Sequence, residues 1–238
     1  MNFLRPLRSQ LGQSMAECIV VLPVALLLIF GAIQFALIYH AKITLNYAAF
    51  EAARAGSLNN AEYLSVKEGF TRGLAPLYSY YEPDAKKRMN RKDNHATNQV
   101  AAFQLARSKI FDEFKDKKKL IRIERLSPDE PDFSDYAVDE EIPNDNLMYR
   151  ASMLGFRSGS SIQDANVLHL RITYWYPLYV PLVNRLVYKS VCSTKKWTED
   201  LLCQQNKDHP IDPRIPLTVV AVMRMQSPAK KSNGYQVN

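Results

Sequence analysis

Histidine is scarce in this chain, with four in 238 residues, and none of His40, His95, His169 or His209 belongs to an H-E-x-x-H or related metal-ligand pair. No phosphate-binding loop, no G-x-S-x-G elbow and no RRM, KH or zinc-finger pattern occurs. The string Ser193-Thr194-Lys195-Lys196 has the S-x-x-K spacing of penicillin-recognising enzymes, but the companion S-D-N and K-T-G elements are missing. The acidic stretch from Pro128 to Glu141 lacks the ligand spacing and turn glycine of an EF-hand. These absences leave no catalytic residue, no metal or cofactor site and no small-molecule substrate to expect. The chain reads as non-enzymatic.

Charge alone does not supply a partner. A formal net charge of +7 and a pI near 9.2 suit an anionic partner of some kind, whether nucleic acid, lipid headgroups or a cell-wall polymer. The cations cluster in Lys86-Lys87-Arg88-Met89-Asn90-Arg91-Lys92 and in Lys115 to Lys119. Neither cluster carries the aromatic stacking partners that nucleic-acid binding needs, so each reads as a solvated face and no nucleic-acid partner is expected. The alternative function compatible with them is an anchored binding module in which Lys86, Lys87, Arg88, Arg91 and Lys92 grip an anionic polymer.

What the sequence does have is one long apolar run. Ile19 to Tyr39 contains no charged residue. As a helix it covers about 31 Å, which matches the ~30 Å hydrocarbon core of a bilayer. A cleaved secretory signal has a shorter apolar region and a small-residue site after it, whereas Tyr39-His40-Ala41-Lys42 offers a poor one. Arg5 and Arg8 precede the run with no acid before Glu17, so the start stays in the cytoplasm and the part beyond about Lys42 lies in the periplasm. The expected location is the bacterial inner membrane, crossed once.

Upstream of the run stands Leu11-Gly12-Gln13-Ser14-Met15-Ala16-Glu17, a short basic leader ending in glycine with a carboxylate just before the apolar block. Glycine leaves the backbone free to lie extended in a protease cleft. A carboxylate at the lip of a membrane helix is costly and tends to be kept for a partner, although an interfacial glutamate can simply mark the membrane edge. The junction resembles the cleavage site of type IV prepilins, which are cut after the glycine and carry glutamate as fifth residue of the mature chain. Counted from Gln13, that residue is Glu17.

Within that group the chain is most similar to the TadE-like minor pilins and pseudopilins of tight-adherence (Flp, type IVb) pili. The residues that carry the likeness are Gly12, Glu17, the Leu22-Pro23 pair and the stretch Asn46-Tyr47-Ala48-Ala49-Phe50-Glu51-Ala52-Ala53-Arg54-Ala55-Gly56, with a looser second match over Pro216 to Met225. The family often has phenylalanine after the glutamate, where this chain has Cys18. The resemblance implies processing between Gly12 and Gln13 by a prepilin peptidase. It also implies contact of Glu17 with the freed amine of a neighbouring subunit, and partnership with other pilins, the assembly machinery and membrane lipid.

Ala41 to Ala55 is alanine-rich and keeps apolar residues at helical spacing, so the spanning helix continues past the bilayer until Gly56 stops it. Its alanines admit a close neighbour, ordinarily the protein's own domain. Ala61 to Leu77 and Thr97 to Lys118 read as amphipathic helices, with Val66, Phe70 and Leu74 on one core face and Val100, Phe103, Ile110 and Phe114 on the other. Pro128 to Glu141 reads as a loop, attracted to the basic clusters. Strands are expected at Leu120 to Leu126, Val167 to Tyr176 and Leu217 to Met225, forming an antiparallel sheet on the stem. Tyr176 to Pro216 is a long surface connection, and the tail from Pro228 is mobile. Cys192 and Cys203 within that connection form a disulfide if their compartment is oxidising, or else remain two buried thiols. The expected fold is α+β, a long N-terminal transmembrane helix running into a pilin-like domain. Its divisions are a leader at 1–12, the helix and its extension at 13–56, and a periplasmic domain at 57–238.

Overall fold

A computed structural model describes residues 11–79, 95–115, 120–193, 203 and 213–235. The chain forms two compact units: residues 40–176 with 216–238, and residues 1–39 with 177–215. The order of elements is α1 (Leu11–Leu58), α2 (Tyr63–Ser79), α3 (His95–Lys115), β1 (Ile121–Ser127), α4 (Glu130–Tyr136), β2 (Glu141–Ile142), α5 (Ile162–Ala165), β3 (Val167–Pro177), α6 (Val183–Cys192), β4 (Arg214–Arg224) and β5 (Ala229–Lys230). The class is mixed α+β, as expected.

In the larger unit, small residues let helices meet backbone to backbone. Ala41, Leu45, Ala48, Ala49, Ala52 and Ala53 of α1 are buried, and α2 answers them with two glycines. A Cβ at Gly73 would stand 2.5 Å from Ala48 Cα, and one at Gly69 would stand 2.7 Å from the Glu51 carbonyl oxygen. No side chain fits at either position. Val66, Phe70 and Leu74 form the buried face of α2, and the Phe70 ring meets Phe114 of α3 edge-on at 6.0 Å. Ile110 of α3 is buried, and Phe103 and Phe114 are half-buried, while Val100 lies outside the residues whose side chains are described. Lys67 lays its ammonium over Phe111 and Phe114, 5.0 and 4.6 Å from the ring centres, and so closes the edge of this contact.

The sheet has order β1-β3-β4. β1 and β3 run antiparallel, with Ile123 opposite Ile172 and Glu124 opposite Arg171, where an ion pair of 3.3 Å spans the strands. Leu168, Leu170, Ile172, Tyr174 and Trp175 of β3 are buried. Leu168 reaches Gly56 of α1, so the sheet does pack on the stem. A second sheet pairs β2 with β5.

Four expectations need correction. Helix α1 runs through Leu58 and Gly56 does not stop it; the reversal falls on Asn60 and Ala61, with φ of 55° and 53°. Gly56 instead yields space, because a Cβ there would meet Val66 at 2.6 Å and Leu168 at 2.8 Å. The Pro128 to Glu141 stretch is not simply a loop, since Asp129 caps α4. Its carboxylate accepts from the Asp132 amide at 3.0 Å, the Asp132 carboxylate accepts from the Asp129 amide at 3.0 Å, and Pro131 sits in the first turn, where its missing N–H costs nothing.

The acids of this stretch pair with the C-terminal segment: Glu141 with Lys230 at 2.6 Å and Glu130 with Lys231. That segment is the third correction. From Pro228 to Tyr235 it is tied down, with the Lys230 amide on the Asn60 carbonyl at 2.9 Å, Tyr235 Oη on the Ala61 carbonyl at 2.8 Å, and the Tyr63 and Tyr235 rings edge-on at 5.3 Å. Burial pushes the Tyr235 hydroxyl pKa upward. The fourth is the Tyr176 to Pro216 connection, which contains α6 and buries Leu178, Val180, Val183, Tyr188 and Cys203. The basic segment from Lys86 to Lys92 lies outside the described residues, as does most of Lys115 to Lys119.

Candidate functional site

The first half of α1 has leucine, isoleucine, valine and alanine all round, so no face of it is polar enough to prefer water. Every residue from Ile19 to Ile29 is exposed within the chain. Among the described residues this is the one helix long and apolar enough to cross a membrane. Pro23 sits inside the helix, where its ring removes a backbone donor without ending it.

The expected processing residues lie close together on α1. Gly12 and Gln13 are in its first described turn, and Glu17 follows one turn later, exposed, about 6 Å further along the axis. The backbone at Gly12 is helical here, whereas the resemblance asks for an extended one at the moment of cleavage. Cys18 is an exposed free thiol.

Cys192 and Cys203 are joined by a disulfide, with Cα atoms 5.5 Å apart. The bond closes the end of α6, whose Tyr188 hydroxyl reaches the Cys203 carbonyl at 3.5 Å. One polar residue of the apolar run escaped the sequence reading. Gln34 is fully buried, and its Oε1 accepts the Val180 amide at 3.0 Å, while Nε2 has no partner among the described residues. An amide side chain in an otherwise hydrocarbon run was the available signal, since such a group is retained where something satisfies it. No set of three or more His, Cys, Asp or Glu close enough to hold a metal occurs among the described residues.

Geometry thus divides α1 into an apolar exposed half that begins with Gly12, Gln13 and Glu17, and an alanine-lined buried half. Residues 12–54 match the family model described as TadE-like protein. The TadE-like match begins at Gly12, takes in Glu17 and Leu22-Pro23, and ends at Arg54, four residues short of the end of α1. The helices and sheets beyond lie outside the matched residues. No curated protein and no solved structure matches the chain.

Proposed function

We propose that this protein is a pilus-assembly component of the minor pilin or pseudopilin type, held in the bacterial inner membrane by α1. In this reading the leader stays in the cytoplasm and a prepilin peptidase cuts between Gly12 and Gln13. The exposed apolar half of α1 then packs laterally against the helices of other pilus components, and Glu17 receives the new terminal amine of a neighbour. The domain on the far side is periplasmic and does no chemistry.

The observation that carries the reading is the overlap of the TadE-like match, residues 12–54, with the one helix among the described residues that is long and apolar enough to cross a membrane, Glu17–Leu58. The Cys192–Cys203 disulfide adds support, since such bonds persist in oxidising compartments such as the periplasm. A membrane insertion penalty for an acid, about 2.5–3.5 kcal/mol at the bilayer centre and less at its edge, explains why Glu17 should seek a cation.

The test is the N-terminus of the mature protein, read by mass spectrometry from cells with and without a prepilin peptidase. Gln13 is the expected first residue with the enzyme present, and a Gly12→Leu variant should stay uncut. An intact Met1 in pilus-forming cells overturns the proposal.

A further inference from the structure

The segment that follows β3 belongs to the same compact unit as the membrane half of α1. Its inner side is satisfied. Val180 gives its amide to Gln34, Val183 and Tyr188 are buried, and the disulfide closes the far end. Its outer side is not what a water-facing helix shows. Leu182 and Leu186, one turn apart, are 69% and 56% exposed, and Tyr179 is 45% exposed just before them. Arg185 and Lys189 flank the two leucines, also one turn apart and exposed.

Leu182 further adopts φ 67° and ψ −56°, a conformation that strains a residue carrying a β-carbon. That strain holds a large apolar side chain outward. Depth follows from the partner. Gln34 lies five residues before Tyr39, the last residue of the charge-free run, so the Val180 amide is held about 8 Å inside the far edge of the span. Amphipathic helices that lie in a membrane surface bury their apolar side by roughly 5–10 Å, with basic residues at the headgroups.

We infer that α6 and the turn before it form a second membrane contact, lying in the lipid surface on the far side of the bilayer. Leu182, Leu186 and Tyr179 enter the acyl boundary, while Arg185 and Lys189 reach anionic headgroups. Two features name lipid as the occupant. The patch continues from the bare apolar surface of α1, to which Gln34 ties it, and its cations complement phosphate. The inference rests on α1 spanning the membrane as proposed above, but not on leader cleavage or on pilus assembly.

The test places a cysteine-independent spin-labelled amino acid at Leu186 in the full chain, reconstituted in nanodiscs of phosphatidylethanolamine and phosphatidylglycerol. Collision rates with oxygen, which partitions into lipid, and with a water-soluble nickel complex are compared. A second label at Leu28 reports on the span, and a third at Met148, which is 87% exposed in the other unit, serves as the aqueous reference. Formation of the Cys192–Cys203 bond, read by mass, certifies the fold of each labelled chain.

The expected result is an oxygen-to-nickel ratio at position 186 severalfold above that at 148 and below that at 28. A ratio at 186 equal to that at 148, with 28 still lipid-like, overturns the surface helix and leaves the span standing. An aqueous ratio at 28 overturns the span itself. Protection of 186 from both reagents also overturns the inference, because it means that protein covers the patch.

Discussion

Between Ile19 and Ile29 helix α1 turns every side chain outward, and they are nearly all leucine, isoleucine, valine and alanine. Between Ala41 and Ala53 it hides small residues on one face and leaves Ile43, Tyr47 and Phe50 exposed. One continuous helix thus carries two solvation schemes. In the first half the bulk lies bare, as the proposed membrane span requires, and in the second the absence of bulk admits α2 to backbone distance. The comparison shows that hydrophobicity and burial are separate properties, and that the alanine half is the part whose packing can be tested within the monomer.

The sharpest break in that comparison comes from two substitutions of the same kind. Phe70→Ala removes a fully buried ring from the α1–α2–α3 contact and should lower unfolding free energy by about 3–5 kcal/mol, read by thermal or denaturant unfolding of the detergent-solubilised chain. Phe35→Ala, on the membrane half and 64% exposed, should change the same transition by less than about 0.5 kcal/mol. Equal losses would mean that the two halves are not solvated differently.

Gly73→Ala sharpens the point with one methyl group. The added carbon must displace Ala48, at an overpacking cost of about 1–3 kcal/mol, partly offset by the roughly 1 kcal/mol that alanine gains over glycine in a helix. A drop of up to about 2 kcal/mol is expected in the same unfolding experiment. Gly31→Ala in the membrane half, where nothing lies within 4 Å of the added carbon, should show no drop.

The smallest effect concerns acid. No Asp or Glu occurs from Cys18 to Phe50, so no carboxylate is neutralised by acid along this length of α1. In the domain, the amides of Ser158 and Arg157, both 2.8 Å from Asp135 Oδ2, hold that carboxyl below its ordinary pKa. A depressed folded value means that the carboxylate supports the 155–160 turn fully above the ordinary value of 3.8 and loses it as pH falls through the lower, folded one. The Arg157 and Ser158 amide resonances should therefore move together below pH 3.8, and Asp135→Asn should reproduce the shift at neutral pH.

Much of this was legible because it is written in local period. The core face of α2 and the three long strands follow from apolar spacing, and the long exposed apolar helix from a run without charge. What escaped was set by partners distant in sequence or by short-range capping. Gly69 and Gly73 look like helix-weakening residues until Ala48 and Glu51 are seen against them. The Asp129 and Asp132 pair was hidden in an acidic composition that suggests a loop, although D-x-x-D with a proline between is a capping signal. The polar C-terminal segment carries no period at all, and its order comes from Asn60 and Ala61 in the turn between α1 and α2 and from Tyr63 at the start of α2. The assignment of Gly12, Gln13 and Glu17 rests on the residue pattern alone.

The turn at the top of α1 is fastened by residues translated at the very end: the Ser57 carbonyl accepts the amides of Gln226 and Ser227, and Asn60 Nδ2 donates to the Pro228 carbonyl at 2.7 Å. During synthesis α2 can therefore dock on the alanine face well before this fastening exists, and the turn at Ser57 and Asn60 closes only after the segment from Gln226 onward has left the ribosome.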